Sequence, residues 1–359
     1  MLTILLSLLL LLLGVLALAL TPAPATTVLP PIKGNVKVGD LVMSPIGVGT
    51  WAWGNRFLWG YDSARDDAEL CATYNYVVGR GVTWFDTADS YGTGALAGQS
   101  EKLLGQFAQT NAKTKNKINF CTKLAPYPFR VGEQSMLTAA AESSARLGRP
   151  LDMVQLHWPP VAWLQPGQEA AYLRAFARLV ADGRATQVGL SNYGPTTLRR
   201  AAQTAAAAGA RIASNQVQFS LLSRYPLTSG LAETCAELGV RPIGYSPLAL
   251  GLLTDKYTVD ALPSGPRGLL FREFLPVMGP LLGELRSVAR FRKKTVSQVA
   301  LNWNLQKGFL VLVGVRSVAQ AKDNLGAVGW ALSPAEVEAL DRAAAKVPKQ
   351  LIQNSFQTN

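Results

Sequence analysis

The sequence contains a single histidine, His157, and only three cysteines in 359 residues. One imidazole cannot build a three-histidine metal site. Cys71, Cys121 and Cys235 lie far apart and match no Cys-x-x-Cys or Cys/His spacing, which argues against a metal centre or a disulfide framework. Cys121 falls in an apolar run and reads as a small core residue. There is no Asn-x-Ser/Thr sequon and no polar low-complexity tract, so neither N-glycosylation nor a disordered tail is expected. Acidic residues are also few: 23 Asp and Glu face 35 Lys and Arg, a formal charge of +12. That excess suits a phosphorylated or acidic ligand or an anionic surface, although a solvated basic surface accounts for most of it. The basic residues, such as Arg146, Arg149, Arg199, Arg200 and Arg290 to Lys294, are scattered. They form no stripe interleaved with aromatics, so nucleic acid is not an expected partner.

Apolar residues are abundant, at 48%. A chain of this length and composition can bury one large core, and an α/β barrel uses this much sequence as a single domain. Met1 to Leu20 is almost entirely Leu, Ile, Ala and Val, followed by a Pro-rich stretch with an Ala-x-Ala run at Ala23 to Ala25. This reads as a targeting segment over residues 1–25 that is cleaved from the mature chain. It lacks a basic start and is long enough to span a bilayer, so retention as a membrane anchor is the alternative. Residues 26–35 read as a linker and 36–359 as the folded domain.

From Asn35 onward, short apolar runs alternate with helically spaced stretches. Val36 to Val38 and Leu41 to Met43 predict a hairpin around Gly39-Asp40. Strands are then expected at Ile46 to Trp51, Val82 to Asp86, Ile118 to Lys123 and Met153 to His157. Four more follow at Thr186 to Leu190, Ser214 to Phe219, Arg241 to Tyr245 and Phe309 to Val313. Each is followed by an amphipathic helical pattern, including Leu227 to Leu238 and Val296 to Gln306. Eight βα units close naturally into a parallel (β/α)8 TIM barrel. Ser333 with Glu336 makes a capping box for an extra final helix, Pro334 to Ala345. Two long interruptions, Trp53 to Asp62 and Ala249 to Gly279, follow the first and seventh strands, on the side where barrels carry chemistry.

Polar residues collect at the strand C-terminal ends. Asp86 ends the second strand, with Tyr91 on the loop beyond it. Lys123, His157, Ser191-Asn192 and Tyr245 end the third, fourth, fifth and seventh, and Gln216 lies in the sixth. Singly, each has an ordinary reading: Asp as a turn residue, Tyr-Gly as a turn, the lone His as a satisfied core residue. Their convergence on one barrel mouth points to a site. Gly47-Val-Gly49 and Gly92-Thr-Gly94 with Gly98 resemble fragments of a dinucleotide fingerprint, but neither opens a helix as G-x-G-x-x-G, so a Rossmann domain is not expected.

Several strings occur in order: Phe85-Asp-Thr-Ala-Asp-Ser-Tyr-Gly92, Thr122-Lys123, Gln155-Leu-His157, Gly189-Leu-Ser-Asn192, Ser214-Asn-Gln216, Gly244-Tyr-Ser-Pro-Leu248, and Gly314 to Asn324. Together they resemble the aldo-keto reductases over roughly Val38 to Ala345. Ser264 to Phe274 with Gln298 to Trp303 is most similar to the plant plastid branch, which is similar to pyridoxal reductases. The resemblance implies NADPH-dependent carbonyl reduction by a tetrad of Asp86, Tyr91, Lys123 and His157. Reduction needs a hydride on carbon and a proton on oxygen. A free Tyr, with a pKa of about 10, is a poor acid at neutral pH. A neighbouring Lys⁺ stabilises its phenolate, Asp86 holds that Lys, and His157 orients the substrate oxygen.

The resemblance also implies nicotinamide contacts from Ser191, Asn192 and Gln216, with Tyr245 stacked on the ring. Thr50 and Trp51 join the cofactor site from the first strand end. Ser246, Pro247, Leu248, Gly251 and Leu253 are expected along the pyrophosphate, with Lys256 nearby. Gly314, Arg316, Ser317, Gln320, Asp323 and Asn324 are expected around the adenosine, Arg316 and Ser317 favouring NADPH over NADH. Trp53, Phe57, Trp59 and Trp158, with Trp51, predict an aromatic mouth for a flat carbonyl substrate such as pyridoxal. A different class of reading is a cofactor-binding, redox-sensing accessory subunit with little turnover, against which the complete tetrad argues. The plastid resemblance and the need for NADPH place the mature protein in a plastid, with the secretory pathway or a membrane as alternatives. Oligomeric state is not legible.

Overall fold

The computed structural model describes residues 29–92, 97–110, 118–161, 164–352 and 358. The expected targeting segment, residues 1–25, lies outside them. A short hairpin of β1 (Val36–Val38) and β2 (Leu41–Met43) precedes the barrel, with Val36 opposite Met43. Then come β3 (Ile46–Gly49), α1 (Arg56–Trp59), α2 (Ser63–Gly79), β4 (Trp84–Asp86), α3 (Gln99–Gln109) and β5 (Asn119–Leu124). They are followed by α4 (Gly132–Leu147), β6 (Leu151–Leu156), α5 (Gln168–Ala181), β7 (Ala185–Ser191), α6 (Pro195–Ala207) and β8 (Ile212–Gln218). The chain continues through α7 (Tyr225–Thr228), α8 (Leu231–Leu238), β9 (Arg241–Tyr245), α9 (Pro266–Phe274), α10 (Gly279–Arg292) and α11 (Val296–Gln306). It closes with β10 (Leu310–Gly314), α12 (Val318–Leu325) and α13 (Pro334–Ala345). Strands β3 to β10 form one closed, all-parallel barrel in which β10 pairs with β3, Val311 opposite Ile46. The predicted TIM barrel, hairpin and final helix are therefore present, and the Ser333–Glu336 capping box is formed.

Two glycines explain how the barrel interior is filled. A Cβ on Gly47 would lie 2.1 Å from the Trp84 ring, so its absence lets that indole fill the barrel and donate to Ser44 O at 2.9 Å. A Cβ on Gly189 would meet Ser214 Oγ at 2.6 Å and Gln155 Cγ at 2.9 Å. The open space lets Gln155 cross the barrel towards Asp86.

Four details depart from the sequence reading. The first barrel strand ends at Gly49, because the chain turns where Trp53 N donates to Thr50 O at 2.8 Å. The expected helix Leu227 to Leu238 is two, broken at Gly230, whose φ of 79° ends one and starts the other. The long segment after β9 contains the short helical turn Ala249–Thr254, then α9 and α10. Part of the expected linker is packed: Leu29 and Ile32 are buried, and Ile32 N donates to Leu305 O at 2.9 Å. Among the described residues no helix is long and apolar enough to cross a membrane, and no cluster of His, Cys, Asp and Glu could hold a metal ion.

Candidate active site

The C-terminal strand ends open into a cleft of about 670 Å³ that runs from β4–β6 across β7–β9 to the β10 loop. At one end Asp86, the last residue of β4, is fully enclosed. It forms a buried ion pair with Lys123 of β5, and its second oxygen accepts from Gln155 Nε2 at 2.9 Å and Gln216 Nε2 at 2.8 Å. Lys123 Nζ also donates to Thr87 O at 2.9 Å and lies 4.9 Å from the centre of the Tyr91 ring. A charge this deep in the protein persists only when it is paired and hydrogen-bonded, as Lys123 is by Asp86 and Thr87 O. Burial works against the Lys123 ammonium, but the Asp86 and Tyr91 charges overcome it and leave its pKa raised.

The loop that carries Tyr91 is stitched to the neighbouring strand: Thr87 N donates to Cys121 O at 2.8 Å and Asp89 N to Lys123 O at 3.0 Å. Arg130 pairs with the buried Asp89 and fixes the loop from the far side. The Tyr91 and His157 rings meet edge-on with centroids 5.7 Å apart. Burial raises the Tyr91 pKa, and the lowering effect of Lys123 is smaller. Lys123 thus acts in the lowering direction, and desolvation outweighs it. His157 follows β6, its backbone N–H donating to Leu124 O at 3.1 Å, with Ser90 Oγ 3.4 Å from the ring Nδ1. Burial, then the Lys123 charge, holds its pKa well below the ordinary imidazole value, so it is neutral at pH 7.

Further along, Ser191 Oγ donates to Gln216 O at 2.9 Å. Asn192 Nδ2 donates to His157 O at 3.0 Å, while its Oδ1 accepts from Tyr245 OH at 2.9 Å. Ser191, Asn192, Gln216, Tyr245, Ser246, Pro247, Leu248, Gly251 and Lys256 all line the cleft, as do Gly314, Arg316, Gln320, Asp323 and Asn324. Gly251 sits at a φ of 108°, in the kinked helical turn after β9.

The remaining expected residues fall elsewhere or play a different part. Thr50 is fully buried behind Asp86, donating to its carbonyl at 3.0 Å and accepting from Ser100 Oγ at 2.6 Å, and does not line the cleft. Leu253 is turned into the core. Ser317 faces a small adjoining cavity and caps α12, accepting from Gln320 N at 3.2 Å. Trp53, expected at the mouth, is instead fully buried against Phe85 and Phe107, its indole N–H donating to Val315 O at 2.9 Å. Phe57 is 78% exposed on α1 and turned away from the cleft. Trp51, Trp59 and Trp158 do line it.

Sequence reasoning missed Arg267, on the first turn of α9. Two guanidinium groups lie over the Trp59 ring, Arg267 at 4.6 Å and Arg316 at 5.3 Å from its centre. Arg316 also donates to Trp59 O at 3.0 Å. Burial, followed by the like charge of Arg267, pushes the Arg316 pKa down. Two converging cations with the buried, unpartnered Arg267 Nε and Trp59 Nε1 make this end of the cleft fit an anion. Nothing in the string around Arg267 distinguishes it from a loop cation; only the fold brings it to Arg316.

A TIM barrel with a Tyr–Lys–Asp cluster and a neutral His at one end of its mouth, and an arginine pair at the other, is a redox enzyme of the carbonyl–alcohol type. The chain belongs to the aldo/keto reductase family, whose model matches residues 45–345. It is 45% identical to the chloroplastic pyridoxal reductase of Arabidopsis thaliana, with 90% of this chain and 89% of that protein aligned. It is 33% identical to an uncharacterized oxidoreductase of Mycobacterium tuberculosis, over 84% of this chain and 90% of that one. Among solved structures, the fold matches the glycerol dehydrogenase of Gluconobacter oxydans with a TM-score of 0.73 at 24% identity, covering 90% of this chain and 99% of that one. It also matches an aldo-keto reductase of Klebsiella pneumoniae in complex with NADPH, with a TM-score of 0.68 at 24% identity over 91% and 99% of the two chains.

Proposed function

We propose that this protein reduces an aldehyde or ketone to the alcohol with NADPH, using Tyr91 as the proton donor. The observation that carries the reading is the position of Lys123, bonded to Asp86 and lying 4.9 Å from the Tyr91 ring at the floor of the cleft. NADPH, when bound, supplies the hydride to the carbonyl carbon. Tyr91 gives its proton to the carbonyl oxygen, and the phenolate left behind is stabilised by the Lys123 ammonium before water reprotonates it. The raised Tyr91 pKa keeps the acid form filled throughout the neutral range. Neutral His157 offers an N–H to the same oxygen and so orients the carbonyl. Ser191, Asn192 and Gln216 hold the nicotinamide amide, and the Tyr245 ring provides its stacking face. Arg316 and Arg267 meet the 2′-phosphate, which favours NADPH over NADH.

The substrate end favours a flat, uncharged aldehyde. Trp158 packs against His157 at 4.8 Å between ring centres, beside the Tyr91 ring that His157 meets edge-on. Arg130, the nearby cation, is committed to Asp89. With the name of the plant relative, this supports pyridoxal or a similar aromatic aldehyde. The same relative and the apolar leader support a plastid location after cleavage of the leader. Steady-state oxidation of NADPH with pyridoxal, aromatic aldehydes and ketones tests the reading. Turnover with the aromatic aldehydes is expected, and cofactor binding without turnover on any of them would favour the redox-sensing accessory role.

A further inference from the structure

Thr358 is bonded to the wall of the cleft from outside. Its backbone N–H donates to Asn192 O at 3.2 Å. Its Oγ1 accepts from Gly194 N at 3.2 Å and lies 2.6 Å from Thr197 Oγ1, and its carbonyl accepts from Tyr225 OH at 3.3 Å. Helix α6 has Gly194 at its N-cap and no side-chain cap of its own. Thr358 accepts instead from the N–H of the cap residue itself, 164 positions away in sequence. The chain is already fixed nearby at Leu351, whose N–H donates to Leu222 O and whose carbonyl accepts from Gln218 Nε2, both at 2.8 Å.

Asn192 is the residue this arrangement restrains. It has a φ of 66°, a left-handed conformation that a non-glycine residue keeps only when its surroundings enforce it. Inside the barrel, Asn192 N donates to Gln216 O at 2.9 Å. Outside, the Thr358 N–H holds its carbonyl. Between these restraints the amide group spans His157 O and the Tyr245 hydroxyl. Without Thr358 the Asn192 carbonyl loses its donor and the Gly194 N–H its acceptor, and the left-handed Asn192 peptide is held from one side only.

We infer that Thr358 is a positioning residue for the nicotinamide end of the cofactor site, holding Asn192 in the conformation that aims its amide into the cleft. The inference rests on the NADPH reading above. It acts on one end only: Thr358 bonds to Asn192, Gly194, Thr197 and Tyr225, whereas the arginine pair belongs to the β10 loop and α9.

The test compares NADPH with adenosine 2′,5′-bisphosphate, which carries the phosphorylated adenosine but no nicotinamide, by fluorescence titration. A chain ending at Ile352 keeps the Leu351 anchor and loses Thr358. It is expected to bind NADPH about three- to tenfold more weakly, the range of one or two lost hydrogen bonds, and the bisphosphate unchanged. Thr358→Val, which keeps the N–H and loses the hydroxyl, gives a smaller loss of NADPH affinity, and Thr358→Ser none. Unchanged NADPH affinity in the shortened chain overturns the inference, as does an equal loss for both ligands, which would mark a general loosening. Native protein that binds neither ligand contradicts the cofactor assignment itself, and this inference with it.

Discussion

The Lys123 ammonium lies 4.9 Å from the centre of the Tyr91 ring while its charge is anchored by Asp86, with both charged groups 1% exposed. A buried pair of this kind is costly to split. Lys123→Met leaves Asp86 unpaired beside two glutamine donors, and unfolding by denaturant is expected to show a loss of about 3–5 kcal/mol. The double variant Asp86→Asn, Lys123→Met should recover a substantial part of it. If the single and double variants are equally destabilised, the pair is not what holds this corner of the barrel.

The pH behaviour follows from the two perturbed groups. Tyr91 is raised above the ordinary value of about 10, so the rate of carbonyl reduction should be level from pH 6 to 9 and fall only above about pH 10. His157 is lowered in the folded state, whereas in the unfolded chain it titrates near 6.5. The unfolded state therefore binds more protons below that pH, and the stability linked to His157 is present above it and lost as pH falls. The melting temperature should drop between pH 7 and 5, and less steeply in His157→Gln. An equal drop in both proteins would show that His157 is not held neutral by the fold.

Arg316→Ala is expected to weaken NADPH about tenfold to a hundredfold, the range of a lost charged hydrogen bond, and NADH far less. Titration with each cofactor measures the difference. Equal losses would move Arg316 from the 2′-phosphate to a contact common to both.

Much of this architecture can be read from the chain. Strand ends are recognisable because apolar runs stop at polar residues such as Asp86, Lys123 and Tyr245, and helix ends because glycines such as Gly183 and Gly239 sit in the left-handed region. Helix α10 escapes the sequence reading although Leu281, Leu282, Leu285 and Val288 have helical spacing, because Gly279-Pro280 at its start resembles a loop. Trp51 and Trp53 look equivalent in sequence. The turn after β3 leaves one 37% exposed and buries the other completely, a difference set by tertiary contacts with Phe85 and Phe107. Gln155 and Arg267 are similar cases: a glutamine reaching a carboxylate across the barrel and an arginine brought to its counterpart by folding carry no local signature. Thr50 is at the expected strand end yet supports Asp86 from behind, since being near a mouth does not fix which side of the backbone faces it.

The leader makes a separate prediction. N-terminal sequencing of the native protein after carbonate extraction of membranes should find a soluble form lacking roughly the first 25 residues, as a signal segment ending near Ala-x-Ala requires. An intact Met1 in the membrane pellet would establish an anchored enzyme instead.

Replacement of a single oxygen atom tests the proposed chemistry most directly. Tyr91→Phe keeps the ring beside Lys123 and His157 and removes only the hydroxyl. With pyridoxal as substrate, NADPH oxidation should fall at least a hundredfold to ten-thousandfold, the range for loss of a positioned acid, while the NADPH dissociation constant changes little. Near-normal turnover by this variant would contradict the assignment of Tyr91 as the proton donor.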